Sequence, residues 1–445
     1  MFRRPPRPLL PFLASLALAS TASTALAAPP SFVIHPYLQH LSPAEVTVRF
    51  ELATDAPASV EVRSGDTPAS RIESPASRFH SVTLRGLQPA TSYSYSVRSG
   101  DLSSDAATFT TSHHEPDRPF SFVLYGDSRS GSTPHGAVAR AIEASASDFL
   151  VGTGDVVVTG GDRNAWLEFF AIEQRLLSDR CLFSAIGNHE LTFPLKSRGP
   201  WIDYFAVDRN DRSTSWFSFR WGNTRFLVLD AMDRWNDSQA EWLRAELTKA
   251  DTEPGIAHRF VVMHHSPFSS GPHGPNRPFL EAGMVDELVR HKVELVMAGH
   301  DHIYERGEAR GIKYIISGGA GAPLYAYKRG PGSLAGVSAY HFVDMHVDGD
   351  LVTAVARRTD RSVIEEVSFR GTGAWQAPLA AAASASAPAP TASGPVVSAA
   401  GPDLPGSRES RCACSLPGSP APWGPWLTLA LPFAPLLRRH RYRRA

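Results

Sequence analysis

Cysteine is nearly absent from this chain of 445 residues: it has three, Cys181, Cys412 and Cys414. That excludes a disulfide framework as the source of stability, so the fold has to rest on buried apolar surface. An excess of one charge is absent too, because 44 Lys and Arg meet 44 Asp and Glu. The balance is uneven along the chain. Residues 1–27 carry Arg3, Arg4 and Arg7 without an acid, and the closing run from Arg438 to Arg444 carries five more Arg without an acid. Removing those eight leaves 36 cations against 44 acids, about −8 for everything between. A nucleic-acid binder concentrates positive charge on its folded part, so nucleic acid is not an expected partner. What the chain does have is 42% hydrophobic and 10% aromatic residues, enough for a sizeable core and for two or three domains.

Both ends read as addresses. Residues 1–27 run from the three Arg through an apolar stretch, Leu9 to Leu18, to the small residues Ala25-Leu26-Ala27. This is the layout of a signal peptide cut after Ala27, with an apolar core too short to span a bilayer. The mature protein is therefore expected to be exported, secreted or attached to the cell surface. Residues 371–411 turn to Ala, Ser, Pro and Gly, a composition that cannot bury enough apolar surface to order itself, and read as a linker. Residues 412–445 follow with Cys412-Ala413-Cys414, an apolar stretch from Trp423 to Leu437 broken by Pro425, Pro432 and Pro435, and the Arg cluster. That order resembles the C-terminal sorting tails of myxobacterial surface proteins, which implies transient engagement of a membrane and removal at the Cys. Cys181, which opens the apolar run Cys181-Leu182-Phe183, is expected to be a buried small hydrophobe.

Residues 31–112 alternate apolar and polar positions in short runs, as in Val46-Thr47-Val48-Arg49-Phe50, Val60-Glu61-Val62 and Tyr93-Ser94-Tyr95-Ser96-Val97. Period two with frequent turn residues predicts an all-β antiparallel sandwich without catalytic motifs. Residues 119–370 instead alternate strand-like apolar runs with amphipathic helices, predicting a layered α/β domain. Helices are expected over Asn164 to Ser178 and over Ser238 to Ala250, with Ser238 as N-cap.

Five apolar runs in that second part end in metal-ligating residue types. They are Phe122 to Asp127, Phe149 to Asp155, Leu182 to His189, Phe260 to His264 and Leu295 to His302. Gly-Asp alone is a common turn, so Asp127 or Asp155 taken singly carries little. His300 and His302 alternate along an extended segment, which puts both imidazoles on one side. Functional groups of α/β sheets gather beyond the carboxyl ends of strands, so five such endings point to one site.

The set, together with Gly299-His300-Asp301-His302-Ile303-Tyr304-Glu305-Arg306 and Ile315 to Leu324, resembles the calcineurin-like metallophosphoesterases. Within them it resembles the purple acid phosphatase branch, whose catalytic unit follows a fibronectin III-like domain; Gly86 to Tyr95 and His35 to Gln39 carry that second likeness. The resemblance implies a fibronectin III-like sandwich followed by a four-layer domain, a β-sandwich flanked by helices, holding two metal ions, Fe, Mn or Zn. It implies that Asp155 bridges the two ions, that Asp127 and His302 serve the first, and that Asn188, His264 and His300 serve the second. His189 would face the substrate as transition-state stabiliser or proton donor. His265 competes with His264 for its role; the position of His264 at the end of the run favours it. His273 is expected to be a solvated loop residue. The implied activity is hydrolysis of a small-molecule or headgroup phosphate ester through a hydroxide held by the metal pair. Monoesters come first, phosphodiesters are the alternative, and a surface binding protein without turnover is the reading from another class.

Two departures bear on that expectation. The resemblance would put a metal-ligating tyrosine three residues after Asp155, where this chain has Val158, so a colourless enzyme is expected. Arg129 stands two residues after Asp127, where many metallophosphoesterases have a His ligand. A guanidinium cannot donate a lone pair. Arg129 is either a clamp for the substrate phosphate, which makes it a catalytic candidate, or a weakening of the first metal position. Oligomeric state has no readable signal.

Overall fold

Alternating apolar and polar residues give residues 32–110 their strands. The computed structural model describes residues 31–65, 69–205, 215–232, 235 and 237–377. The expected signal segment, most of the linker and the sorting tail lie outside the described residues. Among the described residues, no helix is long and apolar enough to cross a membrane.

Six antiparallel strands open the fold: β1 (Phe32–Gln39), β2 (Glu45–Arg63), β3 (Ser70–Arg85), β4 (Ser92–Ser99), β5 (Leu102–Ser103) and β6 (Ala107–Thr110). The two runs Val46–Phe50 and Val60–Val62, expected as separate strands, are the two halves of the 19-residue β2. Register shifts between Glu51 and Ala58 let this strand bend, so that its first half pairs with β1 and its second with β4. Val46, Val48, Phe50, Val60 and Val97 are fully buried between the halves.

The rest of the chain builds two further sheets and their covering helices. In chain order these are β7 (Phe120–Tyr125), α1 (Ser132–Glu143), β8 (Phe149–Gly152), α2 (Arg163–Ile172), α3 (Gln174–Asp179), β9 (Leu182–Ser184), α4 (Gly199–Phe205), β10 (Phe217–Trp221), β11 (Thr224–Val228), α5 (Asp237–Thr252) and β12 (His258–His265). There follow α6 (Arg277–Glu281), α7 (Met284–Arg290), β13 (Leu295–Gly299), β14 (Tyr304–Ala309), β15 (Ile312–Ser317), β16 (Ser333–Val337), β17 (His341–Asp348), β18 (Leu351–Arg358) and β19 (Val363–Arg370). One sheet runs β19-β18-β17-β7-β8-β9, the other β10-β11-β12-β13-β15-β14-β16. Strands β7, β8 and β9 are parallel, as are β11, β12, β13 and β15.

Side-chain alternation sorts the layers. Phe226, Phe260, Val262, Leu295 and Met297 join Phe122 and Phe149 in the core between the sheets. Their neighbours Leu227, Val261, Met263, Val296 and Ala298 point the other way, to Leu243 and Leu247 of α5 and Val285 and Leu288 of α7. Both faces of these parallel strands are therefore covered, which is why they read as continuous apolar runs. An edge-on contact of Phe122 with Phe226 at 5.3 Å joins the sheets.

Two helix expectations are corrected. The segment Asn164–Ser178 is two helices, because Glu173 closes α2 and turns its fully buried carboxylate inward, accepting from Tyr125 Oη at 2.6 Å and pairing with His135 Nε2 at 2.8 Å. Helix α5 begins at Asp237, so Ser238 lies inside it. Cys181 is buried, as its apolar run predicts. Packing continues past Arg370: Trp375 Nε1 donates to the Gly307 carbonyl at 3.1 Å, and Gln376 bridges to Ser368.

Candidate metal centre

The parallel strands of the two sheets end side by side, and each ending carries one or two polar residues of the five runs. Backbone bonds lock these endings together. Asp127 N donates to the Gly154 carbonyl at 2.9 Å, Arg129 N to the Asp155 carbonyl at 3.2 Å, and His300 N to both carboxylate oxygens of Asp127 at 3.0 and 3.1 Å. The last bond joins the end of β13 to the end of β7 across the two sheets. Asp127, Asp155 and His300 all have positive φ, 57°, 56° and 70°. Non-glycine residues rarely adopt that region, and the surrounding fold has to hold them there at about 1–3 kcal/mol each.

Two groups of ligand atoms result. Asp155, His264 and His300 form one, and Asp127, Asp155 and His302 the other; within each, the atoms lie within 4.8 Å of one another. Asp155 belongs to both. Asn188 Oδ1 stands 3.1 Å from His264 Nε2, and His300 Nδ1 also stands 3.1 Å from it. His264 Nε2 is 3.4 Å from Asp155 Oδ1, and His302 Nε2 is 3.6 Å from Asp127 Oδ1. His265 is turned away, its Nε2 3.0 Å from the Gly274 carbonyl, so His264 is the imidazole that faces the cluster.

The other ring nitrogens are tied to backbone carbonyls. His264 Nδ1 is 2.8 Å from the Thr153 oxygen and His302 Nδ1 is 2.7 Å from the Pro323 oxygen. A carbonyl accepts only from N–H, so both Nδ1 atoms carry protons and both Nε2 atoms face inward. Orientation of this kind is what metal-ligating histidines use.

Buried charges of both signs crowd the cluster. Asp127 and Asp155 are buried, and burial, with Asp155 beside it, pushes the Asp127 carboxyl up to about 8. Burial opposes the charge of Asp155 as well, but His264 and His189 outweigh it and hold that carboxyl well below the usual range. His264 is pulled up to about 9 by Asp155 and Asp127 against its own burial. Burial and the neighbouring His264 push His300 down to about 2, and burial pushes His302 down to about 4, so both rings are neutral. A proton sits on His264 where two carboxylates and a neutral imidazole converge. A divalent cation would relieve the same repulsion, and carboxylate, amide oxygen and imidazole are donors that suit Fe, Mn or Zn. The residues fit a metal pair.

His189 lies at the mouth. Its backbone N–H donates to Asp155 Oδ1 at 2.9 Å, its Nδ1 is 2.6 Å from the Val158 carbonyl, and its Nε2 is 4.0 Å from Asp155 Oδ2. The Nδ1 proton is thereby fixed on Val158 and Nε2 is left free; the side chain is 29% exposed. Arg129 does not point to solvent. Its Nε donates to Asp155 Oδ2 at 3.0 Å, its Nη2 to His302 Nε2 at 3.3 Å and its Nη1 to Ser130 Oγ at 3.1 Å.

Three residues were not singled out by sequence. Glu190 is fully buried and accepts the backbone N–H groups of Asp155, Val156, Val157 and Gly187 at 2.9, 2.8, 3.2 and 2.6 Å. It thereby binds the loop of Asp155 to the loop of Asn188; the signal available was an acid directly following His189. Asp301 holds the loop after β12 by accepting from Ser269 Oγ and, at 3.1 Å, from His273 N, and it also meets His273 Nδ1 at 3.0 Å. His273 is solvated, as expected, with its side chain 40% exposed, but it is also anchored, and its ring packs 4.2 Å from that of His300. Tyr325 stacks on His302 at 4.2 Å.

Residues 132–304 match the calcineurin-like phosphoesterase family. A purple acid phosphatase of Glycine max is 26% identical over 272 residues, covering 55% of this chain and 56% of its own. The Fe(3+)-Zn(2+) purple acid phosphatase 12 of Arabidopsis thaliana is 25% identical with the same two coverages. The chain thus spans about half the length of the curated relatives it matches. The solved structure of a purple acid phosphatase from yellow lupin seeds superimposes with a TM-score of 0.66 at 19% identity, covering 77% of this chain and 74% of that one. The fold is shared.

Proposed function

We propose that this chain, which carries a calcineurin-like metallophosphoesterase domain with the purple acid phosphatase fold, is an exported hydrolase of phosphate monoesters that works with two metal ions. The observation that carries the reading is the shared carboxylate: Asp155 stands in both groups of ligand atoms. Asp127, Asp155 and His302 would hold one ion, and Asp155, Asn188, His264 and His300 the other. When bound, the pair supplies Lewis acidity and neutralises the charge that develops in an in-line displacement at phosphorus. Iron and zinc in the Arabidopsis relative are in keeping with this donor set.

The chain's own residues supply the rest. His189, with Nδ1 fixed on the Val158 carbonyl, turns Nε2 to the leaving-group oxygen, and as the imidazolium it can give that oxygen the Nε2 proton and end as the neutral Nδ1–H ring. Arg129 is the cation beside the cluster, and its guanidinium matches the oxygens of a terminal phosphate, which favours a monoester. Export rests on the signal-like residues 1–27, and surface attachment on the tail.

Purified full chain supplied with Mn, Zn or Fe is expected to hydrolyse an aryl phosphate monoester faster than the matching diester, and Asp155→Ala to abolish turnover. A faster diester would make the enzyme a phosphodiesterase. Absence of turnover on either ester with all three metals would sink the enzyme reading and leave a surface binding protein.

A further inference from the structure

The two ligand groups are unequal in donor number and in what already occupies them. The group around His264 has four protein donors, Asp155, Asn188, His264 and His300, converging within hydrogen-bond range. The group around His302 has three, Asp127, Asp155 and His302. Val158, which lines the same pocket as Arg129, has an aliphatic side chain that is 44% exposed and offers no ligand atom.

The smaller group also has a cation in place. Arg129 Nε donates to Asp155 Oδ2 and Arg129 Nη2 to His302 Nε2. Because the His302 Nδ1 proton is committed to the Pro323 carbonyl, Nε2 is the only lone pair that ring can offer, and Arg129 takes it. Two of three ligands are engaged by one guanidinium whose side chain is only 14% exposed. A guanidinium stays charged at any pH the protein meets, so it cannot yield these atoms by losing a proton. The Asp155 carboxylate keeps further lone pairs, but the single one on His302 Nε2 cannot serve an ion and the guanidinium at once.

We propose that Arg129 guards the first half-site: it must swing away before an ion binds Asp127, Asp155 and His302, so the half-site of His264 fills first and tightly and the other fills only at higher metal concentration. This rests on the reading of the cluster as a metal centre. It gives the chain a built-in dependence on metal supply, with a one-ion form in which Arg129 provides the second positive charge. Removal of the ion-displacing contact, rather than of a ligand, then strengthens metal binding.

Full chain stripped of metal and dialysed against rising free Mn, with the bound ion counted by elemental analysis, tests this without any activity measurement. Wild-type protein is expected to retain one ion at low free Mn and a second only at much higher concentration. Arg129→Ala and the shorter, uncharged Arg129→Gln should tighten the second class on the order of tenfold or more and leave the first unchanged. Asp127→Asn should remove the weak class and keep the tight one. Two ions taken up together by wild type, an unchanged weak class in both Arg129 variants, or loss of the tight class in Asp127→Asn would each overturn the proposal. Wild-type protein that binds neither Mn nor Zn at any concentration would remove the metal reading beneath it.

Discussion

At the scale of single residues, the side chains around the cluster divide by what they touch. Glu190 touches no ligand side chain, yet four backbone N–H groups on two ligand loops depend on it. Glu190→Ala leaves those donors unpaired inside the protein, and the expected loss is on the order of 3 kcal/mol in denaturant unfolding, together with loss of bound metal. An unchanged unfolding midpoint with full metal content would refute that role. His189 is different: its free Nε2 matters only when a bond to oxygen breaks. His189→Ala is expected to lower kcat about 10²–10⁴-fold on an alkyl phosphate and much less on a nitrophenyl phosphate, whose leaving group needs no proton. Equal losses on both substrates would rule out proton donation.

At the scale of elements, the positions of the ligands follow from the ends of strands. Gly299, at the end of β13, lies so close to its neighbours that a Cβ there would overlap the Asp127 carboxylate and the Thr153 hydroxyl. Gly299→Ala is therefore expected to leave the far-ultraviolet spectrum unchanged and to lose metal binding; normal binding would mean the strand end can yield. This level is also where sequence reading went furthest. Parallel strands covered on both faces are apolar throughout, so a ligand-type residue closing such a run is conspicuous, as at His264 after Phe260 to Met263. What stayed hidden depends on distant partners. The break between α2 and α3 comes from Glu173 meeting Tyr125 and His135, 48 and 38 residues away. The anchoring of His273 needs Asp301, which reads in sequence only as a spacer between two imidazoles. The left-handed backbone of Asp127, Asp155 and His300 has no local signature at all.

For the molecule as a whole, acid is the condition that tests the fold. His341 is fully buried beside Ser317 and the Ala339 carbonyl, and burial pushes its ring down to about 4 from 6.5. The folded state therefore prefers the neutral ring. Its contribution is complete above about pH 6.5 and is lost as pH falls toward 4, a change of at most about 3 kcal/mol. His258 works the other way: despite burial, Glu294 raises its pKa, so its contribution is present in acid and fades as pH rises through the folded value. Urea unfolding at pH 7 and pH 4.5 is expected to show wild type losing stability in acid and His341→Gln losing less. Equal acid losses in the two proteins would show that His341 is not responsible.

The left-handed angles at Asp127, Asp155 and His300 have one more consequence. Such angles fix the backbone beneath these ligands, so the half-site of His264 stands assembled before any ion arrives, while that of His302 still holds Arg129. Neither group has a thiolate or phenolate to bias the outcome. Which ion fills them then follows the general affinity order of nitrogen and oxygen donors, zinc above manganese, weighted by how much of each the surroundings supply.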